Sequence, residues 1–130
     1  MILLDTHIWI WWVNGSSELP ERHKLFIDSN EQDGIAVSIM SCWEVANLAQ
    51  KDRLRLELPV LDWINLALAY PGIKLLDLTP AIVVDAHQLP GSFHRDPIDR
   101  LLVATARLGE FNLMTLDTKI LDYPHVPVWK

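Results

Sequence analysis

The sequence predicts an α/β fold, with a mainly parallel central sheet of four to five strands flanked by helices on both faces. Three observations carry that expectation. Short apolar runs of strand length recur along the chain, and most are followed by segments with helical spacing or capping signals. Strands separated by helices need crossover connections, which gives a parallel sheet covered on both sides. No repeat of roughly 20–50 residues, low-complexity tract or Gly/Ser linker divides the chain, so residues 1–130 are expected to form one domain.

Taken in order, Met1–Leu4 reads as a short buried strand ending at Asp5. His7–Val13 has helical character and stops at the turn-forming run Asn14-Gly15-Ser16-Ser17. Pro20 suits a first helical turn, and Glu21–Ser29 carries Leu25 and Phe26 on one face. Asp33-Gly34 marks a turn before a strand over Ile35–Ser38. Ser41 and Glu44 have the spacing of a capping box and open a helix to about Lys51. Leu61–Tyr70 forms another helix, closed by Pro71-Gly72, and Ile73–Leu78 forms the third strand. Thr79 begins a helix over Pro80–Leu89, and Gly91–Arg95 is a loop. Asp96-Pro97 launches the clearest helix, Ile98–Leu108, which ends at Gly109. Leu113–Leu116 is the fourth strand, Thr118–Leu121 a helical turn and Val126–Trp129 a short final strand.

Composition narrows the class. Hydrophobic residues make up 50% of the chain and charged residues 22%, a globular balance that excludes disorder. Apolar runs such as Leu101–Ala104 fall far short of the ~20 residues a membrane span needs. Asp5 interrupts the first apolar run and no basic segment precedes it, so no secretory signal is expected. The single cysteine, Cys42, permits neither an internal disulfide nor a cysteine zinc site, and a reducing cytoplasm is the expected compartment. A net charge of −6 excludes a generally basic protein that coats nucleic acid. It leaves open a nuclease whose hold on phosphate comes from bound metal.

The acidic residues are the informative ones. In a parallel sheet the working site lies beyond the carboxyl ends of the strands. Asp5 follows the first strand, Glu44 sits in the first turn after the second, and Asp117 follows the fourth, while Asp96 and Asp99 open the helix leading into that strand. Each alone has a capping explanation, worth ~1 kcal/mol for an N-cap. Asp5, Asp96 and Asp117 could cap helices, Glu44 could partner Ser41, and Asp99 could answer the helix dipole. The set is harder to explain that way, because a cap needs an oxygen rather than a charge. Gathering carboxylates at one sheet edge raises their pKa values and costs stability, and a divalent cation relieves that cost. Oxygen donors without a Cys/His cluster suit Mg²⁺ or Mn²⁺ rather than zinc.

Four segments together carry a resemblance. Met1-Ile-Leu-Leu-Asp-Thr-His7, Ser41-Cys-Trp-Glu-Val-Ala46, Arg95-Asp-Pro-Ile-Asp-Arg-Leu-Leu-Val-Ala-Thr-Ala106 and Met114-Thr-Leu-Asp117 resemble the four acidic motifs of PIN domains. Their order and spacing are similar to the small single-domain toxins of the VapC type, over essentially the whole chain. The resemblance implies a PIN-like three-layer sandwich and a metal-dependent endoribonuclease using one or two Mg²⁺ or Mn²⁺ ions. Asp5, Glu44, Asp99 and Asp117 match the family's acidic quartet, and Asp96 matches a further acid of this subgroup. Thr115 matches a hydroxyl position near the family's site, and Thr6 and Arg100 are further candidates for positioning substrate. A VapB-type antitoxin partner and a homodimer are also implied.

Carboxylates suit this chemistry because they hold a cation without donating protons, while the cation orients water and lowers its pKa. Asp5, Asp99 and Asp117 are expected to be ligands, directly or through one water. Glu44, with its longer reach, could hold a second ion or orient the attacking water. Lys51, Arg53 and Arg55 read as solvated charge more readily than as phosphate contacts. Arg100 is open between an RNA contact and an ion pair with a neighbouring acid. Trp9 and Trp12 lie three apart on one helical face and, with Trp11, suit a core or an interface better than an RNA platform. His7, His87 and His94 lack zinc spacing and are assigned no ligand role; His94, beside the third motif, is the one to test.

Three other functions compete. A phosphorylatable receiver-like signalling domain would use Asp77 and Lys119, yet it needs paired acids after the first strand, where Asp5 is followed by Thr6 and His7. A phosphatase with an aspartate nucleophile needs an Asp-x-Asp pattern that is absent there. A PIN scaffold serving only as a binding module is opposed by acids at every motif position.

Overall fold

The computed structural model describes residues 1–130. Four strands, β1 (Ile2–Leu4), β2 (Ile35–Ser38), β3 (Ile73–Leu76) and β4 (Asn112–Met114), form one sheet in the order β3-β2-β1-β4. Every pairing is parallel, with Ile2 opposite both Ile35 and Asn112. The helices are α1 (Thr6–Asn14), α2 (Glu21–Asp28), α3 (Ile39–Gln50), α4 (Val60–Leu68), α5 (Pro80–His87), α6 (Pro97–Gly109) and α7 (Thr118–Leu121).

The alternation of strand side chains builds two cores. Ile2, Leu4, Ile35, Val37 and Met114 face one side and pack with Ile8 and Trp9 of α1, Ile27 of α2, Val45 of α3 and Trp63 of α4. Leu3, Ala36 and Leu113 face the other side and pack with Ile82 of α5, Leu102 and Ala106 of α6 and Ile120 of α7. Three layers result because no strand residue of β1 can be polar on either face. No helix is long and apolar enough to cross a membrane.

The strand order fixes where a site can form. From β1 the chain steps outward to β2 and β3, then returns to place β4 on the other side of β1. Neighbouring connections therefore diverge at the carboxyl ends of β1 and β4, opening a crevice there.

Several boundaries differ from the sequence expectation, each for a local reason. The cap of α3 is Ser38, whose hydroxyl accepts from the Met40 backbone N–H at 3.0 Å, so Ser41 and Glu44 form no capping box. Pro20 stands just before α2 rather than within it. The strands β3 and β4 end at Leu76 and Met114, short of Leu78 and Leu116. The expected fifth strand is reduced to a single bridge between Leu113 and Val128. Helix α6 runs through Gly109, and Glu110 takes the left-handed capping conformation at φ 57°.

Two glycines at positive φ offer a clean comparison. A Cβ on Gly15 (φ 63°) would meet nothing within 4 Å, whereas one on Gly72 (φ 84°) would lie 2.5 Å from the Glu31 carbonyl oxygen. Gly15→Ala is expected to cost only the left-handed strain of ~1 kcal/mol. Gly72→Ala is expected to cost clearly more in urea unfolding, because the backbone at Glu31 must also move.

Candidate active site

The crevice at the β1–β4 junction is lined by Asp5, Glu44, Asp96, Asp99 and Asp117, together with His7, Ile8, Trp11 and Leu116, and encloses about 360 Å³. All five acids singled out in the sequence meet there. Asp5 comes from the end of β1, Asp117 from just beyond β4, Glu44 from α3, and Asp96 and Asp99 from the start of α6.

Asp5 is the most constrained of them. Its backbone N–H donates to the Met114 carbonyl at 3.0 Å, extending the β1–β4 ladder by one residue. Its Oδ1 accepts from the Thr6 N–H at 2.7 Å and caps α1, while its Oδ2 accepts from the Thr115 hydroxyl at 2.6 Å. Thr115 in turn accepts from the Asp117 backbone N–H at 3.0 Å, so one hydroxyl ties the two acids together. Burial pushes the Asp5 carboxyl above its ordinary range, and the Thr115 and Thr6 bonds pull against that.

The remaining acids are held less tightly. Asp117 Oδ1 caps α7 through the Lys119 N–H at 2.9 Å, and Asp96 Oδ1 caps α6 through the Ile98 N–H at 2.9 Å. Burial also raises the Glu44 carboxyl, opposed by the Thr6 hydroxyl, which lies 2.9 Å from Ser41 Oγ as well. Asp99 is pushed up to about 7 by burial and then by the charges of Asp5, Asp96, Asp117 and Glu44. No Lys or Arg forms an ion pair with any of the five; the only basic contact is His94 Nε2, 3.0 Å from Asp99 Oδ2. Such uncompensated charge fits a divalent cation, and the donors are the oxygens that Mg²⁺ and Mn²⁺ prefer.

Two expectations change here. Arg100 does not pair with an acid: its Nε donates to the Ala86 carbonyl at 2.8 Å, and its Nη1 to the carbonyls of Phe93 and His94 at 3.0 and 3.1 Å. With Arg95 it opens onto a neighbouring groove beside Val83 and His87. His94, given no ligand role from the sequence, joins Asp99 and Asp117 in a group whose donor atoms lie within 4.8 Å of one another. Only the path of the loop before Pro97 brings its ring back over Asp99, and no local spacing rule reports that path. The tryptophans divide as their helix dictates, with Trp9 fully buried, Trp11 on the crevice wall and Trp12 donating to Asp28 at 2.9 Å. Asp77, which the receiver reading needs, follows the edge strand β3 and lines a different groove.

Fold and crevice together define an α/β protein with an acidic cleft at the switch point of a parallel sheet. Residues 2–126 match the PIN domain family, and the chain belongs to that family. It is 34% identical to Ribonuclease VapC22 of Mycobacterium tuberculosis (strain ATCC 25618 / H37Rv) over 133 residues, covering 98% of each chain. Its fold is similar to one in the crystal structure of VapBC2 from Rickettsia felis bound to a promoter DNA fragment, with a TM-score of 0.73, 15% identity and 99% and 98% of the two chains covered. It is also similar to one in the FitAcB structure from Neisseria gonorrhoeae, with a TM-score of 0.70, 21% identity and 100% and 97% covered.

The charge crowding sets a pH dependence with a definite sign. Asp99 holds its proton up to about 7 in the folded chain against an ordinary 3.8, so between those values the folded state binds more protons than the unfolded one. In EDTA, stability is therefore expected to fall as pH rises through that window, and Asp99→Asn should flatten part of the slope. Thermal melts of both proteins from about pH 4 to about pH 8 check this.

Proposed function

We propose that this chain is a metal-dependent endoribonuclease, the toxin of a toxin–antitoxin pair, acting in the cytoplasm as a single PIN domain over residues 1–130. The observation that carries the reading is the convergence of five carboxylates in one crevice with no Lys or Arg paired to them. The ribonuclease name of a relative matched over nearly the full chain supports the reaction class. Names of similar structures as VapBC, FitAcB and toxin–antitoxin complexes support a VapB-like antitoxin partner.

Asp5, Asp99 and Asp117 hold the ion, with Glu44 reaching in from α3 to hold a second ion or to orient water. Asp96 caps α6 through Oδ1 and has Oδ2 left for an outer contact. Bound Mg²⁺ or Mn²⁺ supplies a water nucleophile at neutral pH and counter-charge for the phosphoryl oxygens. Thr115 and Thr6 keep the Asp5 and Glu44 carboxylates aimed inward, which is positioning rather than chemistry. An antitoxin that places an Arg among these carboxylates matches their charge and displaces both ion and RNA.

Two measurements test this. Divalent metal at ~100 times Kd is expected to add ~2.7 kcal/mol of stability, seen as a raised Tm that Asp117→Asn blunts. Metal-independent melting would mean that the acids hold no ion. Asp99→Asn keeps the size of a side chain that makes no cap bond, so the protein should remain folded and antitoxin-competent. Cleavage of defined RNAs with Mn²⁺ should nevertheless drop by at least ~100-fold, the scale of removing a charge stabiliser at the reacting centre. Asp96→Asn, which keeps a good N-cap, should be milder. Near wild-type cleavage by folded Asp99→Asn would place the site elsewhere.

A further inference from the structure

His94 Nε2 lies 3.0 Å from Asp99 Oδ2, yet it makes no hydrogen bond and has almost no contact with solvent. At that distance the bond fails on direction: the ring N–H axis does not point at the carboxylate oxygen. A proton shared by two atoms needs that alignment. A cation shared by two ligands needs the opposite, because the nitrogen and oxygen lone pairs must converge on a third point off the line between them. A nitrogen and an oxygen 3.0 Å apart are close enough for one cation to be held by both. Asp117 completes the convergence, its carboxylate oxygen lying within 4.8 Å of both donor atoms.

The ring is held rather than free. Arg100 spends its Nη1 on the Phe93 and His94 carbonyls and its Nε on the Ala86 carbonyl, fixing the loop to the end of α5. The Phe93 ring packs 4.5 Å from the His94 ring, centroid to centroid. Arg100 thus acts on the cleft through His94, a use neither an RNA contact nor an ion pair would give it.

We propose that His94 Nε2 is a nitrogen ligand of the cation held by Asp99 and Asp117, biasing the cleft toward Mn²⁺ and other first-row transition ions over Mg²⁺. This rests on the metal-dependent reading above. Imidazole binds transition ions well and Mg²⁺ poorly, so one nitrogen among oxygens shifts preference without changing the site's charge.

The test is pulsed EPR on the full chain loaded with substoichiometric Mn²⁺, which reads nitrogen coupling directly and needs no RNA. Wild type should show a coupled nitrogen, His7→Gln should keep it, and His94→Gln should lose it. His7 is the control because it also lines the crevice. In titrations, His94→Gln should weaken Mn²⁺ binding by ~10-fold or more and Mg²⁺ binding far less. Bound Mn²⁺ without nitrogen coupling in wild type overturns the proposal while leaving the metal reading standing. A coupling that survives His94→Gln overturns it too. No Mn²⁺ binding at all removes the metal reading and this proposal with it. The wild-type spectrum decides the matter even if the variant folds poorly.

Discussion

Asp5 is the constraint around which the rest of this molecule is arranged. A buried carboxylate at the end of a central strand is costly unless its oxygens are occupied. Here the Thr6 N–H fills one oxygen and the Thr115 hydroxyl the other, while the Asp5 backbone closes the ladder to Met114. Those contacts require α1 to start immediately after β1 and β4 to lie beside β1. They also require a hydroxyl two residues before Asp117. The crevice, the strand order and the short β1–α1 junction all answer to that one side chain.

Capping and site formation are not rival explanations of the acids. Asp5, Asp96 and Asp117 each cap a helix, and each does so through Oδ1 alone. Serine or asparagine would cap as well, so capping does not account for the charge; the second oxygen does. Asp99 separates the two roles, since its carboxylate makes no cap bond and touches only His94. Burial pushes it up to about 7, and the charges of the other four acids add to that. Helix starts are convenient places for such groups: at Asp96 and Asp117 a backbone N–H holds Oδ1 and leaves Oδ2 without a protein donor, while at Asp5 the Thr115 hydroxyl takes Oδ2.

How much of this was legible in the sequence follows from the range of each interaction. The unbroken apolar runs Ile2-Leu3-Leu4 and Ile35-Ala36-Val37 report a sheet covered on both faces, and the intervening helices report parallel pairing. Asp5, Asp96, Asp99 and Asp117 could be placed because each stands at or near an element boundary, whereas Glu44 lies within α3 and was placed by a capping-box spacing that the helix does not use. Ser41 was misread because capping-box spacing is satisfied by any Ser and Glu three apart, whereas Ser38 holds the extended backbone that a cap requires. The buried Ser41 hydroxyl instead meets Thr6, a contact across 35 residues that no window contains. Arg100 and His94 were illegible for the same reason. Their partners depend on how the loop from Gly91 folds back over α6, and that path is set by tertiary packing of Phe93 against Tyr123.

The distribution of positive charge completes the argument for a cation. An acidic protein that acts on RNA must bring phosphate to a surface that repels it. Arg95 and Arg100 open onto one neighbouring groove and Arg55 onto another, beside Leu58 and Tyr70, so none of them neutralises the crevice. Within the crevice the only basic side chains are imidazoles, from His7 on the wall and His94 beside Asp99. Under the proposed function, the ion that relieves repulsion among the carboxylates is therefore also the charge that draws the scissile phosphate in. Folding stability and substrate capture then depend on one binding event. An inhibitor presenting a guanidinium to the same oxygens would exploit that dependence, keeping the fold stable while removing the positive charge that RNA needs to see.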